Sequence, residues 1–506
     1  MTKRFYSLLM LVAISSITFL SSCDKDDDNI ETPVVKPDIV FYGLSSTNQL
    51  VKYNANASQT PISTTAITGL AGGEKIIAID FRPATGQLYG LGNSSRLYII
   101  NYENGAATAL STASFTPAIS GSLVGFDFNP TVDRIRMVTS GGQNLRLNPE
   151  TGTVAATDAA LNPGTPTVAA AAYTNSMAGA ATTTLFDIDI MANKLYKQDP
   201  PNNGTLVEVG SLGITAVAAN DGGFDISPDN MVALANVTIG ANSVLLQIDL
   251  TTGKATNIGN LATPIIGLAI PTAPVAYAVD NSNNLQIFNF NSAGTPVSKP
   301  ITGLQASENI LGIDMRPATG QLYALGSTSR LYAINMSSGL ATVVGLVPFL
   351  TPLSGTSFGF DFNPTVDRIR VVSNTGQNIR LNPIDGTVAA VDGALNPGTP
   401  MISAAAYTNN FPGSTVTVLF DIDPSTDKLY TQNPPNSGTL VETGSLGIDV
   451  TAENGFDIGG TTNKAYALLT VSGTTRIYSI NLTTGAATQL SAFPNAARGF
   501  AVGLGF

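Results

Sequence analysis

Ile77-Ala78-Ile79-Asp80-Phe81-Arg82-Pro83 is an apolar run closed by a proline, and a Thr85-Gly86 turn separates it from Gln87-Leu88-Tyr89-Gly90-Leu91. A polar break at Asn93-Ser94-Ser95 leads into Arg96-Leu97-Tyr98-Ile99-Ile100-Asn101, and Gly105 divides that run from Ala106-Ala107-Thr108-Ala109-Leu110. Short apolar runs bounded by turn residues are strands, and four in succession predict one antiparallel meander. Variants begin near Val124, Leu185 and Phe224, with a shorter one near Ile39. About five such units fill this half of the chain at roughly 45 residues each, a common length for a four-stranded propeller blade.

The whole pattern then recurs. Ile67-Thr68-Gly69-Leu70 returns as Ile301-Thr302-Gly303-Leu304, an offset of 234 residues that holds without a gap to Gly210 and Gly444. Ile265–Ile270 looks like the first strand of a further blade, but Pro271-Thr272-Ala273-Pro274 interrupts it. Gly499–Phe506 is a similar lone strand, and the opening units from Ile39 and from Val275 each lack one. A last strand that completes the first blade closes a ring and buries an otherwise sticky edge. The expected fold is all-β: two tandem propellers of about five blades each, residues 39–270 and 275–506. A single ten-bladed ring is the alternative, outside the usual range of roughly four to eight blades.

Composition agrees with short strands. Only 12% of the 506 residues are charged and 49 are glycine, whereas long solvent-facing helices need more Glu, Lys and Arg. Mean hydropathy is +0.19, yet beyond residue 22 no uninterrupted apolar run approaches the roughly 20 residues of a spanning helix. The first 22 residues read as a processing signal, with Lys3 and Arg4 before an apolar stretch from Leu8 to Leu20. Leu20-Ser21-Ser22-Cys23 resembles a bacterial lipobox, in which cleavage leaves Cys23 as the lipid-bearing N-terminus. An ordinary secretory signal with a chance cysteine is the alternative. Cys23 is the sole cysteine, so it has no disulfide partner within the chain.

Asp24-Lys25-Asp26-Asp27-Asp28 resembles the surface-export signal of lipoproteins in the Bacteroidetes group, and residues 23–38 read as an acidic tether and linker. Without residues 1–22 the chain keeps 22 of its 24 basic side chains against 35 acidic ones, a net charge of −13. With no basic block it is a poor partner for nucleic acid or anionic lipid. Membrane attachment is therefore expected through the N-terminal lipid, at the outer membrane and on the cell surface.

The runs Gly-Ile-Asp-Met-Arg-Pro-Ala-Thr-Gly-Gln-Leu-Tyr (312–323) and Phe-Asp-Phe-Asn-Pro-Thr-Val-Asp-Arg-Ile-Arg (126–136, again 360–370) resemble the bacterial family catalogued as domain of unknown function 4394. Gly-Gln-Asn-Leu-Arg-Leu-Asn-Pro (142–149) and its partner at 376–383 carry the same resemblance, which covers nearly all of residues 39–506 as two copies. It implies an exported, repeat-built protein and no particular activity, so no catalytic residue follows from it.

The residue inventory restricts the chemistry further. There is no histidine, which removes the usual general base near neutral pH and the usual zinc ligand. With Cys23 lipidated, no thiol nucleophile remains, and no phosphate or dinucleotide fingerprint occurs. Asp127 and Asp361 recur with Arg134 and Arg368, Arg136 and Arg370, and Arg146 and Arg380. With Gln143, Asn144, Gln377 and Asn378 these form a candidate ligand-binding set, able to clamp a carboxylate or phosphate. The competing reading pairs Asp127 with the arginines between blades, as structure.

Asp421-Ile422-Asp423-Pro424-Ser425-Thr426-Asp427 spaces oxygen ligands as a calcium loop does, but the loop glycine and terminal glutamate are missing. A strand running into a turn explains it equally, and no metal is assigned. Two functions are expected from these residues. One is a non-enzymatic binding or scaffolding module for an extracellular ligand or protein. The other is a carboxylate-based hydrolase or lyase acting on extracellular glycans.

Overall fold

Ten four-stranded antiparallel sheets hold the forty strands of the computed structural model, which describes residues 34–214, 222–451 and 455–506. Among the described residues the only helices are three single 3-10 turns. The signal segment 1–22, Cys23 and the acidic run 24–28 lie outside the described residues.

The opening stretch forms the expected blade. Ile76–Phe81 pairs with Leu88–Gly92, then Arg96–Ile100, then Ala107–Ala109. The innermost strand is buried while the outermost is partly exposed, as stacking sheets face to face around an axis requires. Val124–Asn129 and Gly223–Ile226 begin two further blades as read from sequence.

The blade expected to begin at Leu185 begins earlier, with Val168–Tyr173, and Leu185–Asp189 is its second strand. Val-Ala-Ala-Ala-Ala-Tyr is poor in β-branched residues, so its strand character is weak locally. The small side chains are needed for close approach. A Cβ on Gly125 of the neighbouring inner strand would lie 2.7 Å from the Ala171 Cβ, and one on Gly359 would lie 2.6 Å from the Ala405 Cβ.

Both rings close with the final strand of each half. Gly267–Ala269 pairs with Val40–Leu44, placing Leu268 opposite Gly43. Ala497–Val502 pairs with Ala276–Asp280, placing Val502 opposite Ala276. Five inner strands then contact one another cyclically in each half. The result is two five-bladed propellers rather than one ten-bladed ring.

Packing between blades supplies the core. Tyr89 meets Phe128 edge to face at 5.1 Å, and Tyr323 meets Phe362 at 5.2 Å. Each tyrosine hydroxyl donates across the blade boundary, to Pro149 O and Pro383 O, both at 3.1 Å. A buried phenol is tolerated because its hydroxyl is satisfied.

Lys36–Phe506 is one compact unit, so the rings also pack on each other. Tyr277 donates to Ala84 O at 2.9 Å, Tyr102 donates to Gly505 O at 2.6 Å, and Gly505 N donates to Thr85 O at 2.8 Å. Gly86 sits beneath the terminal ring of Phe506 with φ of +70°, and a Cβ there would come within 2.3 Å of that ring. Only glycine meets both demands.

Candidate functional site

An inner propeller strand has a hydrogen-bonding partner on one side only, so its axial edge carries unpaired backbone N–H groups. Aspartates satisfy several of them. In the first ring Asp80 accepts from Phe81 N at 2.7 Å and from Phe128 N of the next blade at 2.8 Å. Asp225 accepts from Ile226 N at 2.6 Å and Ile270 N at 2.5 Å, while Asp127 Oδ1 accepts from Tyr173 N at 3.1 Å. Asp314, Asp457 and Asp361 repeat these contacts on Met315, Phe362, Ile458, Val502 and Tyr407.

The blade-to-blade stitching brings three carboxylates together on each axis. One oxygen each from Asp80, Asp127 and Asp225 lies within 4.8 Å of the others, and so do those of Asp314, Asp361 and Asp457. All six residues are buried. Burial, and in Asp80 and Asp127 repulsion from the neighbouring aspartates, pushes the carboxyl pKa values up, against the lowering effect of the backbone N–H bonds. Asp225 and Asp457 are each raised to about 7.

Asp127 and Asp361 lie opposite Arg136 and Arg370 in the strand register, yet their carboxylates bond the axial backbone rather than these arginines. Arg136 instead donates from Nη1 to Asn144 Oδ1 at 2.7 Å and to Asp158 Oδ2 at 2.6 Å. Its Nη2 reaches Asn202 Oδ1 at 2.8 Å and its Nε reaches the Tyr173 hydroxyl at 3.3 Å. Arg146 forks onto Asp158 at 2.8 and 2.9 Å. Burial raises the Asp158 pKa, but hydrogen bonds from Arg146 and Arg136 outweigh it and hold the carboxyl below its usual range. Arg370, Arg380, Asn378 and Asp392 repeat the arrangement.

The other candidates lie elsewhere. Arg134 and Arg368 cap the carbonyls of Asp133 and Asp367, at 2.7 and 2.8 Å. Gln143 and Gln377 brace neighbouring loops through Ala118 O and Pro352 O, both at 2.9 Å. The structure thus gathers Arg136, Asn144 and Arg146 around Asp158, an acid the sequence reading passed over. The residues of the possible calcium loop also part company. Asp423 caps its turn through Ser425 N at 2.9 Å and Asp427 accepts from Val450 N at 2.8 Å. Asp421 is fully buried, and neither carboxylate oxygen has a hydrogen-bond partner among the described residues.

Sequence reasoning also missed a cleft of about 340 Å³ between the rings. Asn101 and Asn104 line it from the first ring, and Asn409, Pro412, Thr415 and Asn463 from the second. The Asn409 backbone N donates to Asn463 Oδ1 and Asn463 Nδ2 donates to Asn409 Oδ1, both at 2.7 Å. Thr108 Oγ1 donates to Pro412 O at 3.1 Å and fixes the loop across the interface. One signal was present in the repeat: Met177 of the first half corresponds to Phe411 of the second. Met177 is exposed, whereas Phe411 is buried against the first ring.

Architecture and sites together define a duplicated five-bladed propeller with an acidic axis in each ring and a neutral cleft between the rings. Residues 49–269 and 284–501 each match the family described as Domain of unknown function (DUF4394), and the chain belongs to that family as two tandem copies. No curated protein matches the chain.

Proposed function

We propose that this protein is a lipid-anchored, non-enzymatic binding module on the cell surface, and that the inter-ring cleft holds a short neutral oligosaccharide. The observation that carries this reading is the lining of the cleft. It combines asparagine amides, serine and threonine hydroxyls, a proline and a phenylalanine, without an ionisable side chain among the described residues. Amides and hydroxyls offer both donors and acceptors, which suits paired sugar hydroxyls. The volume falls at the lower end of small-molecule sites, roughly 300–1,000 Å³. Proton transfer to a substrate needs a positioned acid or base, and the cleft offers none among the described residues.

The axial carboxylates do not favour hydrolysis. Glycosidase carboxyl pairs stand about 5–9.5 Å apart across an accessible sugar. Here one oxygen from each lies within 4.8 Å of the others, and all six residues are buried. Anchoring rests on the Cys23 lipobox and the acidic run behind it.

Binding is tested with the full-length chain in detergent against a panel of neutral oligosaccharides. Thr415 is exposed in the cleft, so Thr415→Arg fills the site without touching the core. Saturable binding lost in this variant is the expected result. Turnover of any panel member, or binding indifferent to the variant, overturns the reading. Anchoring is tested by Cys23→Ala, which should move the protein out of the membrane fraction. Retention there refutes lipidation at this residue.

A further inference from the structure

The axial aspartates gather acceptor oxygens with no positive partner beside them. Asp314 and Asp457 each accept backbone N–H bonds on both carboxylate oxygens. Both oxygens of each therefore already act as acceptors, as those of a metal-ligating carboxylate do. Asp361 completes the cluster with Oδ1 on Tyr407 N at 2.9 Å. Its Oδ2 is buried with no hydrogen-bond partner among the described residues, and Asp361 is only 1% exposed. Among the described residues, none of the six axial aspartates forms an ion pair with Lys or Arg. Buried charge without a counter-charge is strongly unfavourable.

We infer that each ring binds one divalent cation, calcium by its ligand chemistry, on its axial carboxylate cluster. The ligands are all hard oxygens, as calcium prefers. Oxygens within 4.8 Å of one another can share a central ion at the 2.3–2.6 Å typical of calcium, whereas magnesium demands about 2.0–2.1 Å and stricter geometry. Each ring also holds a space of about 10 Å³, close to that of one water molecule, lined by chain neighbours of the aspartates such as Ile79, Phe126 and Phe224. The ion would tie together three of the five inner strands, and so act on ring stability rather than on a substrate.

The full-length chain, stripped with chelator and equilibrated with calcium at about 1 mM, the affinity range of extracellular calcium modules, is assayed for bound metal by mass spectrometry. Two calcium ions per chain and a raised melting temperature are expected. Asp127→Asn and Asp361→Asn should each remove one equivalent. Asp423→Asn, in the turn of the sequence-predicted calcium loop, should remove none. If the axial variants fail to fold, the wild-type stoichiometry and melting shift still decide. Absence of bound calcium in the wild type overturns the inference and leaves shared protons as the counter-charge. Loss of an equivalent in Asp423→Asn, or none lost in either axial variant, also overturns it.

Discussion

Arg136 and Arg146 share the same carboxylate but differ in burial, which makes a sharp test of what holds the third blade to the fourth. The Arg136 side chain is 2% exposed and Asp158 is 7% exposed, whereas Arg146 is 34% exposed. Arg136→Met leaves buried Asn144 Oδ1 without its donor, and the Asn144 amide nitrogen is already committed to Ala159 O and Pro201 O. Breaking a buried pair costs about 3–5 kcal/mol. Asp158 retains Arg146, so the lower end applies, about 3 kcal/mol. Arg146→Met removes a half-exposed partner and should cost about 1 kcal/mol or less.

For a domain the size of one ring, the first change corresponds to a melting temperature lower by roughly 6–12 °C. Urea unfolding followed by circular dichroism, with the slope unchanged, measures both variants. Arg370→Met and Arg380→Met provide an internal repeat, because Arg370 bonds Asn378 at 2.7 Å as Arg136 bonds Asn144. Equal costs for Arg136→Met and Arg146→Met, or a cost below about 1 kcal/mol for Arg136→Met, would refute the reasoning.

Three further outcomes follow from the same geometry. Burial raises Asp187 to about 8 despite the opposing charge of Arg136, so the folded state holds a proton that the unfolded state releases near pH 4. Stability should fall as pH rises from about 4 to about 8 and then level off. Asp187→Asn should make this dependence shallower by the share of that one residue and exceed wild type in stability at about pH 9, measured by denaturant titration in chelator. Ending the chain at Asn495 removes Ala497–Val502 and leaves Ala276–Asp280 as an open edge. Size-exclusion chromatography should then show self-association, and a monomer of wild-type stability would count against strand closure. Gly86→Ala drives a methyl group into the Phe506 ring. Calorimetry should resolve separate ring transitions in that variant, and an unchanged single transition would show that this contact does not couple the rings.

Most blades were legible because strand and turn signals are local. Ile76–Phe81 and Leu88–Gly92 announce themselves by apolar runs on either side of Thr85-Gly86. Val168–Tyr173 was hidden because its alanines serve close packing between inner strands, against their own weak strand preference. Arg136, Asn144 and Arg146 come together because they lie on adjacent paired strands. Asp158 escaped notice because it lies just beyond the end of the blade's last strand, Val154–Thr157. The axial aspartates left a readable mark, an acid flanked by apolar residues in Phe126-Asp127-Phe128 and Phe224-Asp225-Ile226. Aspartate is depleted in strands, so an acid in that setting needs a reason.

The sequence by itself determined the duplication, the four-stranded unit and the closing role of each final strand, because these depend on patterns carried within a few residues or repeated at one offset. It also removed histidine from the possible chemistry by composition alone. Only the tertiary structure decided that Asp80, Asp127 and Asp225 meet on one axis, although 145 residues separate the first from the last. It alone set Phe411 against the first ring and opened a neutral cleft beside it. Ring closure converts equal positions on separate blades into neighbours, and no local signal states which blades will face one another.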